Sequence, residues 1–174
     1  TAPFRSRFLI HEKLSLYPVE DQTKILKRSA SILGIKIDDD AANLIATRSR
    51  GTPRVANRFL RRIRDVAEVN SKDTIDCQVA DEGLKMLGVD SYGLDNTDRK
   101  ILKIIIEHGG GPVGVKTIAV AVGEEEDTIE SVYEPFLIQE GYLQKTSRGR
   151  KAAPKAYQVL GIKQQPVQEA LFDL

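Results

Sequence analysis

The residues best equipped for chemistry lie in one stretch, RSRGTPRVANRFLRRIRD, from Arg48 to Asp65. Seven arginines (Arg48, Arg50, Arg54, Arg58, Arg61, Arg62 and Arg64) precede its first acid. A guanidinium stays protonated at any physiological pH, so these groups cannot act as acids or bases. Their chemistry is the binding of phosphate or carboxylate oxygens. The run Gly51-Thr52-Pro53-Arg54 reads as a turn followed by a helix start. Thr52 is placed to accept from free backbone N–H groups, and Pro53 suits the first helical position, where its missing donor has no partner anyway. Arg54 then falls in the first turn, against the positive end of the helix dipole. A cation there suggests an anion arriving from outside, with phosphate the natural candidate. The plain alternative is a solvated basic helix face.

A second basic cluster sits near the end of the chain. No acid occurs between Glu140 and Glu169, while Lys145, Arg148, Arg150, Lys151, Lys155 and Lys163 carry positive charge. A hairpin tip with Gly149 between two arginines lets the backbone approach a phosphate chain while side chains reach it from both sides. About five or six such contacts would make binding steeply salt-dependent and poor in base readout. The helix before it opens with Glu124-Glu125-Glu126-Asp127, an unsuitable start for entering a major groove. This module is expected to hold a backbone rather than read a sequence. The run GGGPVG lacks the Lys-Ser/Thr ending of a phosphate loop and reads as an inter-helix turn. His11 and His108 lack the nearby Asp or His partners of a metal site. Tyr17, before Pro18, reads as a core aromatic on residue type alone.

Composition sets the limits. The chain has 174 residues, 41% hydrophobic and 29% charged, with net charge +1, so attraction for nucleic acid must come from local patches. The lone Cys77 excludes an internal disulfide and a cysteine-built zinc site, and fits a reducing, cytoplasmic setting. No apolar run is long enough to span a bilayer. The opening Thr1 and the basic Ala2–Phe8 pattern suggest a piece of a longer protein.

The positioning elements follow from periodicity. Ile25, Leu26, Ser29, Ile32 and Leu33 form a helical stripe that Gly34 stops. Asp38-Asp39-Asp40 opens a second helix through Ala41, Leu44 and Ile45. The third begins at Thr52/Pro53 with Ala56, Phe59, Leu60, Ile63 and Ala67 inward, and a fourth carries Val79, Leu84 and Leu87. Residues 88–94 read as a linker. Helices over 97–107, 115–122 and 126–139 follow, the last with Ile129, Val132, Tyr133, Phe136 and Leu137 inward and with Pro135 kinking it or sitting where a donor is missing. Extended stretches over 142–146 and 156–160 then flank a basic loop, Ser147–Lys151. Three helices and a hairpin with a basic tip is the order of a winged helix. The tail after Gly161 is expected to be flexible.

Together the segments APFRSRF (2–8), RSRGTPRVANRFLRRIRD (48–65), LDNTDRKIL (94–102), GGPVG (110–114), EEEDTIESVYEPFLIQEGYLQKTSRGR (124–150) and AYQVLGI (156–162) resemble the RuvB family. These are AAA+ ATPases that drive branch migration of Holliday junctions in recombination and repair. The resemblance implies a mainly α chain: the end of the AAA+ large domain (1–17), a four-helix lid (18–90), a winged-helix DNA-binding domain with a small β-hairpin (91–162), and a tail (163–174). By the same resemblance Arg54 matches the sensor-2 arginine that reaches ATP phosphates, and Tyr17 and Pro53 match lid positions near the adenine. Arg5 and Arg7 match the two arginines after the Ala-Pro pair, Arg5 being preferred as an arginine finger acting in trans and Arg7 as a nucleotide contact. Lys145, Arg148 and Arg150 match the DNA-contacting wing. Implied cofactors are ATP and Mg²⁺ in the whole protein, and implied partners are junction or duplex DNA, RuvA, RuvC and a homo-hexamer, without a membrane. Glu126 departs from the basic residue of some relatives, and Lys145 and Ser147 stand where Arg and Pro are frequent. No G-x-x-x-x-G-K-S/T and no strand ending in paired acids occurs, so this polypeptide alone is expected to lack ATPase activity. Competing layouts are a winged-helix transcription regulator with a helical dimerisation domain, and an origin-binding initiator or clamp-loader relative.

Overall fold

The computed structural model describes residues 15–164, which form two compact units dividing between Leu87 and Gly88. Arg5 and Arg7, and the tail beyond Gln164, lie outside the described residues.

The first unit contains α1 (Val19–Ile32), β1 (Lys36–Ile37), α2 (Asp39–Arg48), α3 (Pro53–Val69), β2 (Thr74–Ile75) and α4 (Cys77–Met86). The apolar stripes meet as the periodicity demands, with Leu26, Ile45, Leu60, Ile63, Ile75 and Leu84 fully enclosed. At the outer positions the stripe of α1 is narrower than expected: Ile32 is exposed, and Gln22 and Ala30 are buried in line with Leu26. Asp76 caps α4 by accepting from the Val79 amide at 2.9 Å. The loops before α2 and α4 pair as a two-residue parallel bridge, Lys36 with Thr74 and Ile37 with Ile75. Two residues carry no readable alternation, so this bridge has no sequence signal.

The second unit contains α5 (Asn96–Glu107), α6 (Val115–Val122), a third helix, the hairpin strands β3 (Leu143–Thr146) and β4 (Gly149–Ala152), and α8 (Pro154–Leu160). The third helix, α7, is composite: Glu126–Thr128, a π turn over Ile129–Tyr133, and Glu134–Gln139. Residues 88–94 form an ordered turn rather than a linker. Asp90 accepts from the amides of Tyr92 and Leu94 and is paired by Arg99, while Leu94 is buried in the core. Asp95 and Asp98 then make a reciprocal capping box at the start of α5.

Two expectations are corrected here. Residues 156–160 are helical, because Pro154 occupies the first turn and Gly161 ends the helix at φ +67°. The second hairpin strand is Gly149–Ala152, joined to β3 through a tight turn at Ser147-Arg148, with Leu143 opposite Ala152, Gln144 opposite Lys151, Lys145 opposite Arg150 and Thr146 opposite Gly149. In α7, the π turn precedes Pro135, whose ring clashes with the carbonyl four residues back in a regular α-helix and which lacks the N–H for that bond. The extra residue in that turn shifts the phase. Val132 turns outward at 57% exposure, and Glu134 takes an inward place at 2%.

The core of this unit gathers Ile101, Leu102, Ile105, Ile118, Ile129, Leu137, Tyr142 and Leu143. Tyr142 is 1% exposed, with the Lys155 ammonium 4.4 Å from its ring centroid. Burial, followed by Glu140, pushes the Tyr142 phenol up to about 12. Between the usual tyrosine value near 10 and that raised value, the unfolded chain loses the proton while the folded one keeps it. The linked stability is therefore complete below about pH 10 and is lost as pH rises towards 12. Thermal melts from pH 9 to 12 should show a steeper fall in Tm for the wild type than for Tyr142→Phe. Parallel curves would show that the buried phenol does not titrate this way.

Candidate nucleotide and DNA interfaces

The arginine run of the first unit is divided by its surroundings. Arg48 is buried and pairs with Asp81 at 2.8 Å, tying the end of α2 to α4. Lys85, and after it Arg48, hold the Asp81 carboxyl below its ordinary range. Ser49 is buried against Gln22 at 2.5 Å. Arg64 is engaged by Asp65 and Glu68, and Arg62 lies 3.6 Å from Asp65. Among the described residues, Arg54, Arg58 and Arg61 have no carboxylate partner. With Asn57 and Arg62 they line an open groove of about 790 Å³ along α3.

Thr52 takes the N-cap position of α3 and Pro53 the first turn, but the Thr52 hydroxyl makes no cap. It donates instead to the Arg50 carbonyl at 3.3 Å. The helix start is thus left without a side-chain acceptor, and Arg54 stands exposed beside it. Gly51 explains how Tyr17 joins this site. At φ +65° it packs so closely that an added Cβ would lie 2.6 Å from that of Leu16. Its carbonyl accepts from the Tyr17 amide at 2.9 Å. Leu16 and Tyr17 are 41% and 49% exposed and pack on Gly51, three residues before Arg54. Tyr17 is therefore a surface residue, not a core aromatic. These residue types fit a nucleotide, with a ring to meet the base and a cation to meet phosphate. No group of three or more His, Cys, Asp or Glu is placed to hold a metal among the described residues.

In the second unit, the hairpin does not present its cations uniformly. Side chains alternate along β4, so Lys151 faces solvent while Arg150 points inward at 7% exposure. Arg150 Nε donates to Glu134 Oε1 and its Nη2 to Glu130 Oε1, both at 2.5 Å. Lys145, directly across the ladder, reaches Glu130 at 2.9 Å and Glu134 at 3.2 Å. Lys145 first, then Arg150, hold the Glu130 carboxyl below its usual range. Glu130 and Glu134 in turn raise the Lys145 ammonium. Burial works against the Arg150 charge, but Glu134 and Glu130 outweigh it and its pKa is raised. Arg150, matched by the resemblance to the DNA-contacting wing, is buried and anchors the hairpin.

Backbone geometry enforces that anchor. Gly149, at φ +138°, lies so close to Val113 that a Cβ would stand 2.5 Å from the Val113 carbonyl oxygen. Val113 and Arg150 exchange both backbone hydrogen bonds, at 2.9 and 2.8 Å, making a third short rung beside the hairpin. Lys155 is also occupied, by Glu140. Of the wing cations, Arg148 at the tip and Lys151 remain exposed without a carboxylate partner among the described residues. Sequence reasoning missed Glu130 and Glu134: their i,i+4 spacing was readable, but the π turn that brings Glu134 inward was not.

A four-helix lid joined to a winged helix with a basic hairpin defines a C-terminal AAA+ architecture. The RuvB AAA lid domain matches residues 17–90 and the RuvB C-terminal winged helix domain matches residues 91–161. The chain is 56% identical over 167 residues to the Holliday junction branch migration complex subunit RuvB of Myxococcus xanthus, covering 95% of this chain and 48% of that protein. It is 50% identical over 174 residues to the subunit of the same name from Thermosipho melanesiensis, of which it covers 55%. The solved Thermotoga maritima RuvB Holliday junction branch migration motor superposes with a TM-score of 0.91 at 46% identity, over 95% of this chain and 56% of that one. The chain belongs to the RuvB family, and it spans about half the length of the relatives it matches.

Removing one partner of a buried ion pair strands the other, at a typical cost of ~3 kcal/mol or more, whereas an exposed unpaired cation contributes within about 0.5 kcal/mol. Arg150→Ala should accordingly unfold at much lower urea concentration than wild type, and Arg148→Ala at nearly the same. Equal midpoints for the two variants would refute the anchoring role.

Proposed function

We propose that this chain is the nucleotide-sensing lid and DNA-holding wing of an ATP-driven branch-migration motor. Residues 18–90 are the lid and 91–162 the DNA-binding domain, with residues 1–17 belonging to the end of a nucleotide-binding domain. The observation that carries the reading is the pairing of two free, exposed arginines with anchored surroundings: Arg54 at an uncapped helix start, and Arg148 at the tip of a hairpin locked by buried charge. The family membership supports it, since the relatives are named as subunits of a Holliday junction branch migration complex.

In the lid, Arg54 meets the phosphates of bound ATP, and Tyr17 with Pro53 borders the base. A guanidinium stabilises charge developing on phosphoryl oxygens without moving a proton. ATP with Mg²⁺ supplies the hydrolysis chemistry in the whole protein, and Arg5 and Arg7 belong to that reaction as finger and nucleotide contact. The chain alone does not turn over ATP. In the wing, Arg148 and Lys151 touch phosphates, so binding is insensitive to base sequence. The whole protein works as a homo-hexamer on junction DNA with RuvA and RuvC, in a bacterial cytoplasm. A transcription regulator would instead read bases, and the acidic start of α7 offers no groups for that.

Two free wing cations rather than five or six predict a modest salt slope, d log K/d log[salt] of about −2 on duplex DNA. Scrambled duplexes should bind alike. Arg148→Glu should weaken all of them by a similar factor of about ten or more at low salt, as read by fluorescence anisotropy. Strong preference for one duplex, or unchanged affinity of Arg148→Glu, would reject the wing assignment. In the full-length protein Arg54→Ala should slow ATP-coupled branch migration, and normal coupling would reject the sensor role.

A further inference from the structure

We infer that Glu130 is a built-in counterion of the wing, a carboxylate that occupies Lys145 and competes with a DNA phosphate for it. This rests on the proposal that the wing binds DNA. The cluster on α7 and the hairpin holds two cations, Lys145 and Arg150, and two carboxylates, Glu130 and Glu134. The two carboxylates differ in position. The Glu134 side chain is 3% exposed and that of Arg150 is 9%, so this pair is sealed, although Glu134 also lies 3.2 Å from Lys145 and Arg150 also donates to Glu130. The side chains of Glu130 and Lys145 are 43% and 50% exposed, and reach the surface together.

Glu130 accepts from the Arg150 Nη2, but its removal would not strand the buried charge, since Glu134 still binds the Arg150 Nε. The other partner of Glu130 is the half-exposed Lys145, which it holds at 2.9 Å on the ladder that ends at Thr146 and Gly149, beside the Arg148 turn. A phosphate arriving at Lys145 would meet a carboxylate on the same ammonium and must displace it. Association of an unpaired lysine with DNA releases a mobile cation from the DNA and steepens the salt dependence. Where the protein supplies its own carboxylate, forming the new contact also leaves that carboxylate to be solvated, and net affinity gains little. The wing then grips through Arg148 and Lys151, with Lys145 held in reserve. A weak backbone grip suits a protein that must release and re-engage DNA repeatedly.

The test is salt-dependent binding of a random duplex by the full chain in four forms: wild type, Glu130→Gln, Lys145→Ala and the double variant, with Arg148→Ala alongside. Glu130→Gln keeps the side-chain volume and removes the charge. It should bind about three- to tenfold more tightly at low salt, with a salt slope steeper by about 0.9. Lys145→Ala alone should cost much less than Arg148→Ala, and in the Glu130→Gln background it should return affinity to the wild-type level. Should Arg148→Ala weaken binding while Glu130→Gln leaves affinity and slope unchanged, the counterion role is overturned and the wing reading stands. Should Arg148→Ala leave binding unchanged, the wing reading falls and this inference with it.

Discussion

The hairpin of the second unit places two cations, Lys145 and Arg150, directly opposite one another on the same face of an antiparallel ladder. Like charges in that relation repel, and one of them is buried. The arrangement is tolerable only because α7 delivers Glu130 and Glu134 to that face, one helical turn apart. Much else in the unit serves this meeting. The π turn of Ile129–Tyr133 adds the residue that swings Glu134 inward, and Pro135 tolerates the widened backbone just before it. Gly149 lets Val113 close against β4, fixing the strand from its other side. What remains projecting, Arg148 and Lys151, is thereby held on a rigid support rather than a free loop.

In the first unit the same residue type is put to different ends by position. Arg48 faces inward and meets Asp81, so it behaves as a strut between α2 and α4. Arg64 folds back along α3 onto Asp65 and Glu68, where exposed pairs of this kind contribute little. Arg54 is left unmatched by any carboxylate among the described residues, at a helix start where the local dipole opposes its charge. A fold under selection for stability alone would place an acid there. The backbone of Gly51, locked against Leu16 and Tyr17, sets that uncapped start beside an exposed aromatic.

The helices were legible because each carries an apolar stripe with a 3.6-residue period and ends in readable caps, such as Asp76 before α4 or Gly123 after α6. The winged-helix order followed from that, and so did the presence of a basic hairpin. The position of β4 was not legible. Gly149-Arg150-Lys151-Ala152 has no apolar alternation, since its inward residue is a charged arginine, whereas Tyr157, Val159 and Leu160 imitate a strand while packing as a helix. Phase was lost in α7 as well, because a π turn leaves no mark on a hydrophobic pattern beyond a misplaced Val132. At the site, residue type pointed to the right segments, but charge alone could not separate anchored cations from free ones. That distinction depends on which carboxylates share the face, and Glu134 arrives there only through the phase shift.

The choice of arginine at 150 and lysine at 145 follows from the same geometry. Arg150 must satisfy two carboxylates while almost wholly removed from water, and a planar guanidinium does so by directing Nε at Glu134 and Nη2 at Glu130. A lysine there would present one compact, strongly hydrated charge in place of a fixed planar fork. Lys145 is half-exposed, and its ammonium regains hydration readily when a partner is withdrawn. Exchanging the two would put the strongly held cation at the rim and the readily released one in the interior. The observed order keeps the fixed pair inside, where breaking it would cost the fold, and the exchangeable pair at the surface, where an incoming anion can compete.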